Sequence, residues 1–385
     1  MKFPNHILTA FAGGAAALLF CTAVEADPMT TPAMSGPIAA NANPFSVNAG
    51  PFGNVFVTGA VSGLGLWQDH TMPGDHDALV DLGNAQMFVQ KTDGWFQFYV
   101  QAGAYSLPSL GTEYFHADRL DSDTFGYVPQ AFVKITPSDS LSFEIGKLPT
   151  LIGAEYSFTF ENMNIERGLL WNQEPAVSRG IQANYANGPF SLSLSWNDGY
   201  YSNRFNWVSW LASYAIDSAN TIAFAGGANI GRTGYATFAT PYFQNNGEIF
   251  NLLYTYNSAP WAVNPYVQYS RVPASDALSV PQSASMWGFG VLATYTVSPH
   301  FSISGRAEYE DSSGSLKSGA PSLLYGPGSS AWSLTATPTL QYGVFFARAD
   351  VSYVEAGGIT PGFALGPKFS GKSQTRLLFE TGIVF

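Results

Sequence analysis

The chain has 385 residues, of which only 11% are charged, with a formal net charge of -11 and a single cysteine, Cys21. Soluble domains ordinarily carry about 25% charged residues, and an acidic balance argues against nucleic acid as a partner. With so little charge and no run of about 20 apolar residues after residue 26, spanning helices are excluded. A closed β-barrel is then the simplest membrane structure, because in hydrocarbon every backbone N–H and C=O must be paired internally.

Residues 1–26 have the form of an export signal: Lys2, an apolar stretch from Ile7 to Phe20, and Val24-Glu25-Ala26 ahead of Asp27. A lipid anchor at Cys21 is disfavoured by the bulky Phe20 before it. Cleavage would remove the one cysteine, so disulfides cannot hold the exported chain together. Residues 27–52 are rich in Pro, Ala and Asn without periodicity and are expected to form an irregular periplasmic leader.

From Gly53 onward the dominant signal is alternation with a period of two, the mark of strands with one apolar and one polar face. Phe190, Leu192, Leu194 and Trp196 oppose Ser191, Ser193, Ser195 and Asn197; Phe301, Ile303, Ala307 and Tyr309 oppose Ser302, Ser304, Arg306, Glu308 and Glu310. Turn-forming residues mark short connections at 93–94, 137–139, 187–188, 218–220, 259–260, 298–299 and 342–343. Long connections fall between them, at 68–78, 107–123, 149–175, 199–206, 232–246, 272–282, 313–328 and 356–371. Seven short turns alternating with eight long loops predict an all-β fold: a transmembrane antiparallel up-and-down β-barrel of about 16 strands over residues 53–385, with long external loops and short periplasmic turns. Aromatic residues flank the short turns, as in Tyr185 with Phe190 and Tyr342 with Phe345, and are expected to form the periplasmic aromatic girdle.

The final segment alternates Leu377, Phe379, Thr381, Ile383 and Phe385. A terminal strand ending on an outward aromatic resembles the signal by which outer-membrane barrels are recognised for insertion. The expected setting is therefore the bacterial outer membrane, with its lipids and the barrel-insertion machinery as partners.

Sixteen strands enclose a lumen too wide for side chains to fill, leaving an aqueous channel unless something plugs it. The polar face would line it with Gln97, Gln101, Lys134, Glu144, Asn251, Arg306, Glu308, Arg348, Asp350, Arg376 and Glu380. Arg179 shares the apolar parity of Ile181 and Tyr185, which calls for a bulge or an interfacial height. The third and longest loop carries Glu155, Glu161, Glu166 and Glu174 against one Arg167, while Arg306, Arg348 and Arg376 lie near one another on late strands. Opposite charges facing each other across a narrowing set selectivity in pores, so residues 149–175 are expected to fold inward as a constriction. The alternative is an external loop whose glutamates keep it soluble.

The stretch "FEIGKLPTLIGAEYSFTFENMNIERGLLWNQEPAVSRGIQANY", followed by "LSLSWNDGYYSN", resembles the OmpL-like beta-barrel porin-2 family. The resemblance rests on Gly146, Lys147, Leu148, Pro149, Gly153, Glu155, Asn164, Arg167, Gly180, Asn197, Asp198, Gly199 and Asn203, and it departs from the family's pattern at Trp171-Asn172-Gln173-Glu174. It implies a porin-like channel for passive diffusion of small hydrophilic solutes and names no solute; association of three barrels stays open.

Other readings are weaker. A lipase-type barrel enzyme would need Ser, His and an orienting polar group together, and no nucleophile motif surrounds any Ser while His300 falls in a short turn. Asp69, His70, Asp75 and His76 offer ligand types for a divalent cation, with Asp77 and Asp81 nearby, but their spacing matches no defined motif. Neither a metal nor a cofactor is expected. A non-conducting barrel acting as adhesin, receptor or anchor is the principal rival to a channel.

Overall fold

The structure is a computed structural model, and it describes residues 32–385. Residues 1–31, including the expected signal segment 1–26 and the start of the leader, lie outside the described residues. The first strand, β1 (Phe45–Asn48), precedes a 3-10 turn at Gly50–Phe52. The next eight strands are β2 (Asn54–Gln68), β3 (Ala78–Lys91), β4 (Phe96–Tyr105), β5 (Gln130–Ser138), β6 (Leu141–Pro149), β7 (Val177–Asn187), β8 (Phe190–Asn197) and β9 (Trp207–Ala215). They are followed by β10 (Asn220–Asn229), β11 (Glu248–Ser258), β12 (Trp261–Val272), β13 (Ala284–Ser298), β14 (Phe301–Ser312), β15 (Ser330–Tyr342), β16 (Phe345–Gly357) and β17 (Ser373–Val384).

Every strand from β2 to β17 pairs antiparallel with the next, and β17 pairs with β2 from Val384↔Ala60 to Arg376↔Gln68. That closes a 16-strand ring and leaves it no free edge, so the backbone is satisfied within the wall. All seven short turns and all eight long loops fall where the alternation of the sequence puts them. The Asn187-Gly188 turn shows why the sequence marks them: Gly188 sits at φ 57°, a conformation open to glycine at little cost.

Side chains divide by parity. Leu192, Leu194, Trp196, Ile303, Tyr309, Leu377 and Phe379 are exposed on the outer face, and Ser195, Ser304, Arg306, Glu308, Arg376 and Glu380 are buried on the inner one. Exposed Trp95, Tyr185, Phe190, Trp261, Tyr342 and Phe345 gather at the short-turn end, and Trp67, Trp196, Trp287 and Trp332 form a second belt near the long loops. Arg179 stands at that second height, with its Nε 2.7 Å from Asp198 Oδ2 and its guanidinium 3.8 Å from the Tyr201 ring centroid. The interfacial height, with a carboxylate and an aromatic ring, accommodates its outward parity.

Two departures from expectation concern the interior. The leader is not irregular throughout: β1 pairs with β2 from Phe45↔Val57 to Asn48↔Asn54, taking over along β2 just past Phe385, whose backbone bonds Gly59. The inner face is also not uniformly polar. Phe88, Tyr99, Phe132, Phe346 and Val384 are buried inside the barrel and pack with Phe158 and Phe160 of the third long loop and Ile38 of the leader. Period-two counting identifies the parity of these positions but cannot foresee that an apolar face is covered from within.

Candidate constriction site

The third loop, residues 150–176, leaves β6 and returns to β7 with its stem closed by the Thr150 amide on the Ala176 carbonyl (3.2 Å). Its tip folds back through two 3-10 turns, Thr159–Glu161 and Leu170–Gln173. Local side chains tighten the fold: Glu161 Oε2 accepts the Phe158 amide (3.1 Å), while Asn162 bonds the Tyr156 amide and carbonyl. These groups satisfy the turn's backbone without water, which lets the segment enter the barrel. Leu169, Leu170, Ile165, Phe158 and Phe160 are fully buried.

The loop docks on the wall formed by β14–β17 and β2. Arg306 Nη1 donates to Glu155 Oε1 (2.8 Å) and to the Glu166 carbonyl (2.7 Å), and its Nε lies 3.2 Å from Glu308 Oε2. Glu308 in turn accepts the Leu169 and Leu170 amides (2.9 and 3.1 Å). Arg376 Nη1 lies 3.3 Å from Glu166 Oε2 and donates to the Ser109 carbonyl of the second loop (2.6 Å). Asp350 Oδ2 takes the Ile165 and Glu166 amides (2.9 and 3.2 Å), and Arg348 Nη1 donates to the Asn162 carbonyl (3.0 Å) while its Nε is 3.7 Å from Glu380. Glu380 Oε1 also accepts from Thr159 Oγ1 (2.6 Å) and Ser62 Oγ (2.7 Å). The side chains of Arg306, Glu308, Arg348, Arg376, Glu166 and Glu380 are removed from solvent.

This differs from the expected arrangement. The Arg and Glu groups were expected to face each other across an opening, and they are in contact instead. Buried ion pairs offset their desolvation only when further hydrogen bonds satisfy the remaining donors and acceptors, and the backbone amides of residues 165–170 supply several of these. Removing one partner leaves a buried charge uncompensated, so the network acts as a clasp that ties the loop to this wall, while Ala154, Met163 and Leu170 pack on Leu211, Ala225, Leu253 and Tyr266 of the facing strands.

The other expected site residues separate from this cluster. Arg167 is buried but faces the second loop, donating Nη2 to the Pro108 carbonyl (2.6 Å) with its guanidinium 5.4 Å from the Trp171 ring. Glu161 is used within the loop, and Glu174 is buried against Gly153, where an added Cβ would lie 1.8 Å from Glu174 Oε2. Lys134 and Glu144 face each other across β5 and β6 at 3.9 Å, with Gln182 Nε2 on Glu144 (3.3 Å), apart from the loop. Sequence reasoning missed the neutral contacts: Asn164 donates to Thr337 (2.7 Å), Asn84 to Thr159 (2.6 Å), and Gln268 to the Leu170 carbonyl (3.0 Å). Each wall partner has inward parity, a signal available in the sequence but shared with every other inward polar residue.

Across the ring from the clasp, a gap about the size of one water lies beside the stem of the loop, lined by Thr150, Gln182, Ser195 and Asn197 together with Leu151 and Val177. Its lining carries no charge and is part polar, part apolar.

The acidic first loop is otherwise engaged. Asp75 Oδ2 accepts from Gln68 Nε2 (2.7 Å) and the Tyr114 amide (3.1 Å), and Asp69 Oδ1 takes the Thr375 amide (2.7 Å) while lying 3.1 Å from His70 Nδ1. Asp81 Oδ2 accepts from the Tyr114 hydroxyl and the Ala117 amide (3.0 Å each). Among the described residues no group of three or more His, Cys, Asp or Glu side chains has a geometry that could hold a metal ion.

Solved structures share the fold. OmpT of Vibrio cholerae, expressed in the outer membrane, is 12% identical with a TM-score of 0.60, covering 89% of this chain and 100% of its own. The anion-selective porin from Comamonas acidovorans is 11% identical with a TM-score of 0.58, covering 86% and 99%. In-vitro folded OmpT in its trimer form is 12% identical with a TM-score of 0.58, covering 86% and 99%. None of the curated proteins compared with the chain matches it. The family model described as "Putative beta-barrel porin-2, OmpL-like" matches residues 54–385, the whole closed ring. The chain belongs to the OmpL-like beta-barrel porin-2 family.

Proposed function

We propose that the protein is an outer-membrane porin for passive diffusion of small hydrophilic solutes, exported by its N-terminal 26 residues, with the inward loop 150–176 as its constriction. The observation that carries this is the clasp of Arg306 on Glu155 and Arg376 on Glu166, which fixes the loop within a 16-strand ring and against one wall. A loop held inside the ring narrows any passage through it. Transport of this kind needs no catalytic group and no cofactor. The trimer form of OmpT supports the same assembly here.

Planar-bilayer recording tests the reading. The purified chain should conduct, and a variant lacking residues 155–170 should conduct more and with altered ion preference. Unchanged conductance and preference in that variant would sink the constriction.

A second reading has an observation of its own. The loop's docked charges are fully buried, as a plug's would be, which favours a non-conducting barrel serving as adhesin, receptor or anchor. Silence of the intact chain in the same recording would favour it.

A further inference from the structure

The leader does more than join an export signal to the first barrel strand. It enters the barrel from the short-turn mouth and climbs to the underside of the inward loop. The amides of Ser35 and Gly36 both donate to the Glu161 carbonyl (2.7 and 3.1 Å), and Ser35 Oγ donates to the same oxygen (3.3 Å). Gly36 is seated so closely that an added Cβ would lie 2.1 Å from the Asn162 carbonyl oxygen. Ile38 is only 2% exposed and belongs to the apolar cluster of Phe88, Tyr99, Phe132 and Phe346 on the inner wall. One step on, Gln341 of β15 grips the Ala39 backbone at both ends: Oε1 accepts the Ala39 amide (2.7 Å) and Nε2 donates to its carbonyl (2.9 Å). The strand β1 then ties the segment to β2 at the mouth.

These contacts explain two features a simple pore would not need. An inner wall meant only for water has no use for a cluster of buried aromatic residues, and a linker meant only for solvent has no use for a buried isoleucine. The leader's Ile38 covers this cluster together with Phe158 and Phe160 of the third loop. Among the described residues the attachment is a short stretch, with Ile38 and the partly buried Met34 as apolar anchors and a few hydrogen bonds, so it can detach without disturbing the closed ring.

We propose that residues 34–39 are an internal plug that obstructs the passage below the constriction from the periplasmic side, and that full conductance requires this segment to withdraw. The proposal rests on the porin reading, since it concerns what limits flow through the ring. Withdrawal breaks no strand pairing of the ring, and β1 remains as the tether that allows the segment to return.

The experiment is single-channel recording of the refolded exported chain beside three variants: deletion of residues 32–41, Gly36→Val and Gln341→Ala. Gly36→Val drives a side chain into the Asn162 carbonyl while leaving the ring's residues untouched. The expected result is a rise in conductance to the level of the deletion variant for Gly36→Val, and a partial rise or added open–closed transitions for Gln341→Ala. A second readout uses Ser35→Cys in the exported chain, because the sequence's single cysteine, Cys21, falls in the proposed export segment. Its reaction with a water-soluble maleimide should be slow in the intact background and fast when combined with Gly36→Val. Equal conductance of intact and deleted chains, or fast labelling in the intact background, overturns the plug alone. Absence of conductance from all of them overturns the plug and the porin reading together.

Discussion

The inner faces of β14–β17 and of β8–β12 are built from the same alternating strands and differ in charge. The first presents Arg306, Glu308, Glu310, Arg348, Asp350, Arg376 and Glu380; the second presents Ser191, Ser193, Ser195, Ser209, Asn251, Asn264 and Gln268, with no ionised side chain at an inward position. The inward loop is held to the charged face by ion pairs, and it meets the neutral one through apolar packing of Ala154, Met163 and Leu170 on Leu211, Ala225, Leu253 and Tyr266. Charge in this barrel therefore serves to hold the loop, because each Arg on that face has a carboxylate or backbone carbonyl from the loop within reach. The neutral face meets the loop without ion pairs: Gln268 accepts from Asn251 and donates to the Leu170 carbonyl.

Four changes would break or sharpen that contrast. The largest effect is expected for Arg306→Met, which leaves Glu155 and Glu308 buried without their counter-charge, at a cost of about 3–5 kcal/mol. The loop should undock, lowering the temperature at which the folded band disappears in heat-modifiability gels and raising conductance. Thr159→Val is milder. It removes the bond Thr159 donates to Glu380 and the one it accepts from Asn84, while Glu380 keeps those from Ser62 and Asn84, so a loss of about 1–2 kcal/mol is expected by the same gel measurement. On the neutral face, Ser191→Asp places a carboxylate beside the Ser213 hydroxyl. It should move the zero-current potential in a salt gradient toward cation preference with little change in the gel transition; an unmoved potential would show that solutes do not pass this face.

The smallest effect lies outside the membrane, on the short helix α1 (Ala117–Asp123) of the second loop. Burial pushes the Asp121 carboxyl up to about 6, against the Tyr105 amide hydrogen bond, which lowers it, and the carboxylates of Asp118 and Asp81 add to the rise. Its folded value lies above the ordinary 3.8, so the folded chain holds the extra proton between the two. Stability of this loop should fall as pH rises from about 4 to about 6 and stay level above that. Hydrogen exchange at the Tyr105 amide would report it, and Asp121→Asn should remove the slope.

Much of this architecture was legible in the sequence. Alternation such as Phe190 to Trp196 against Ser191 to Asn197 is a local property, fixed by the pleat of a strand, and turns such as Asn187-Gly188 are set by one residue's backbone freedom. Expectation and structure therefore agree on sixteen strands and on the order of short and long connections. The glutamates of the third loop and the arginines of the late strands were likewise recognisable as related groups. Their contact was not, since Glu155 and Arg306 meet across 151 residues of chain and nothing in their spacing says whether water stands between them. The role of Arg167 was hidden for the same reason: only the approach of Pro108 from another loop turns it away from the lumen.

The sequence by itself determined the kind of wall, because scarce charge, period-two alternation and turn chemistry admit few solutions in hydrocarbon. Only the tertiary structure decided what fills it. The direction of the third loop, the burial of its ion pairs and the path of Ser35 to Ala39 beneath it depend on contacts between distant segments, where burial and hydrogen bonding are settled by three-dimensional closure and not by neighbouring residues.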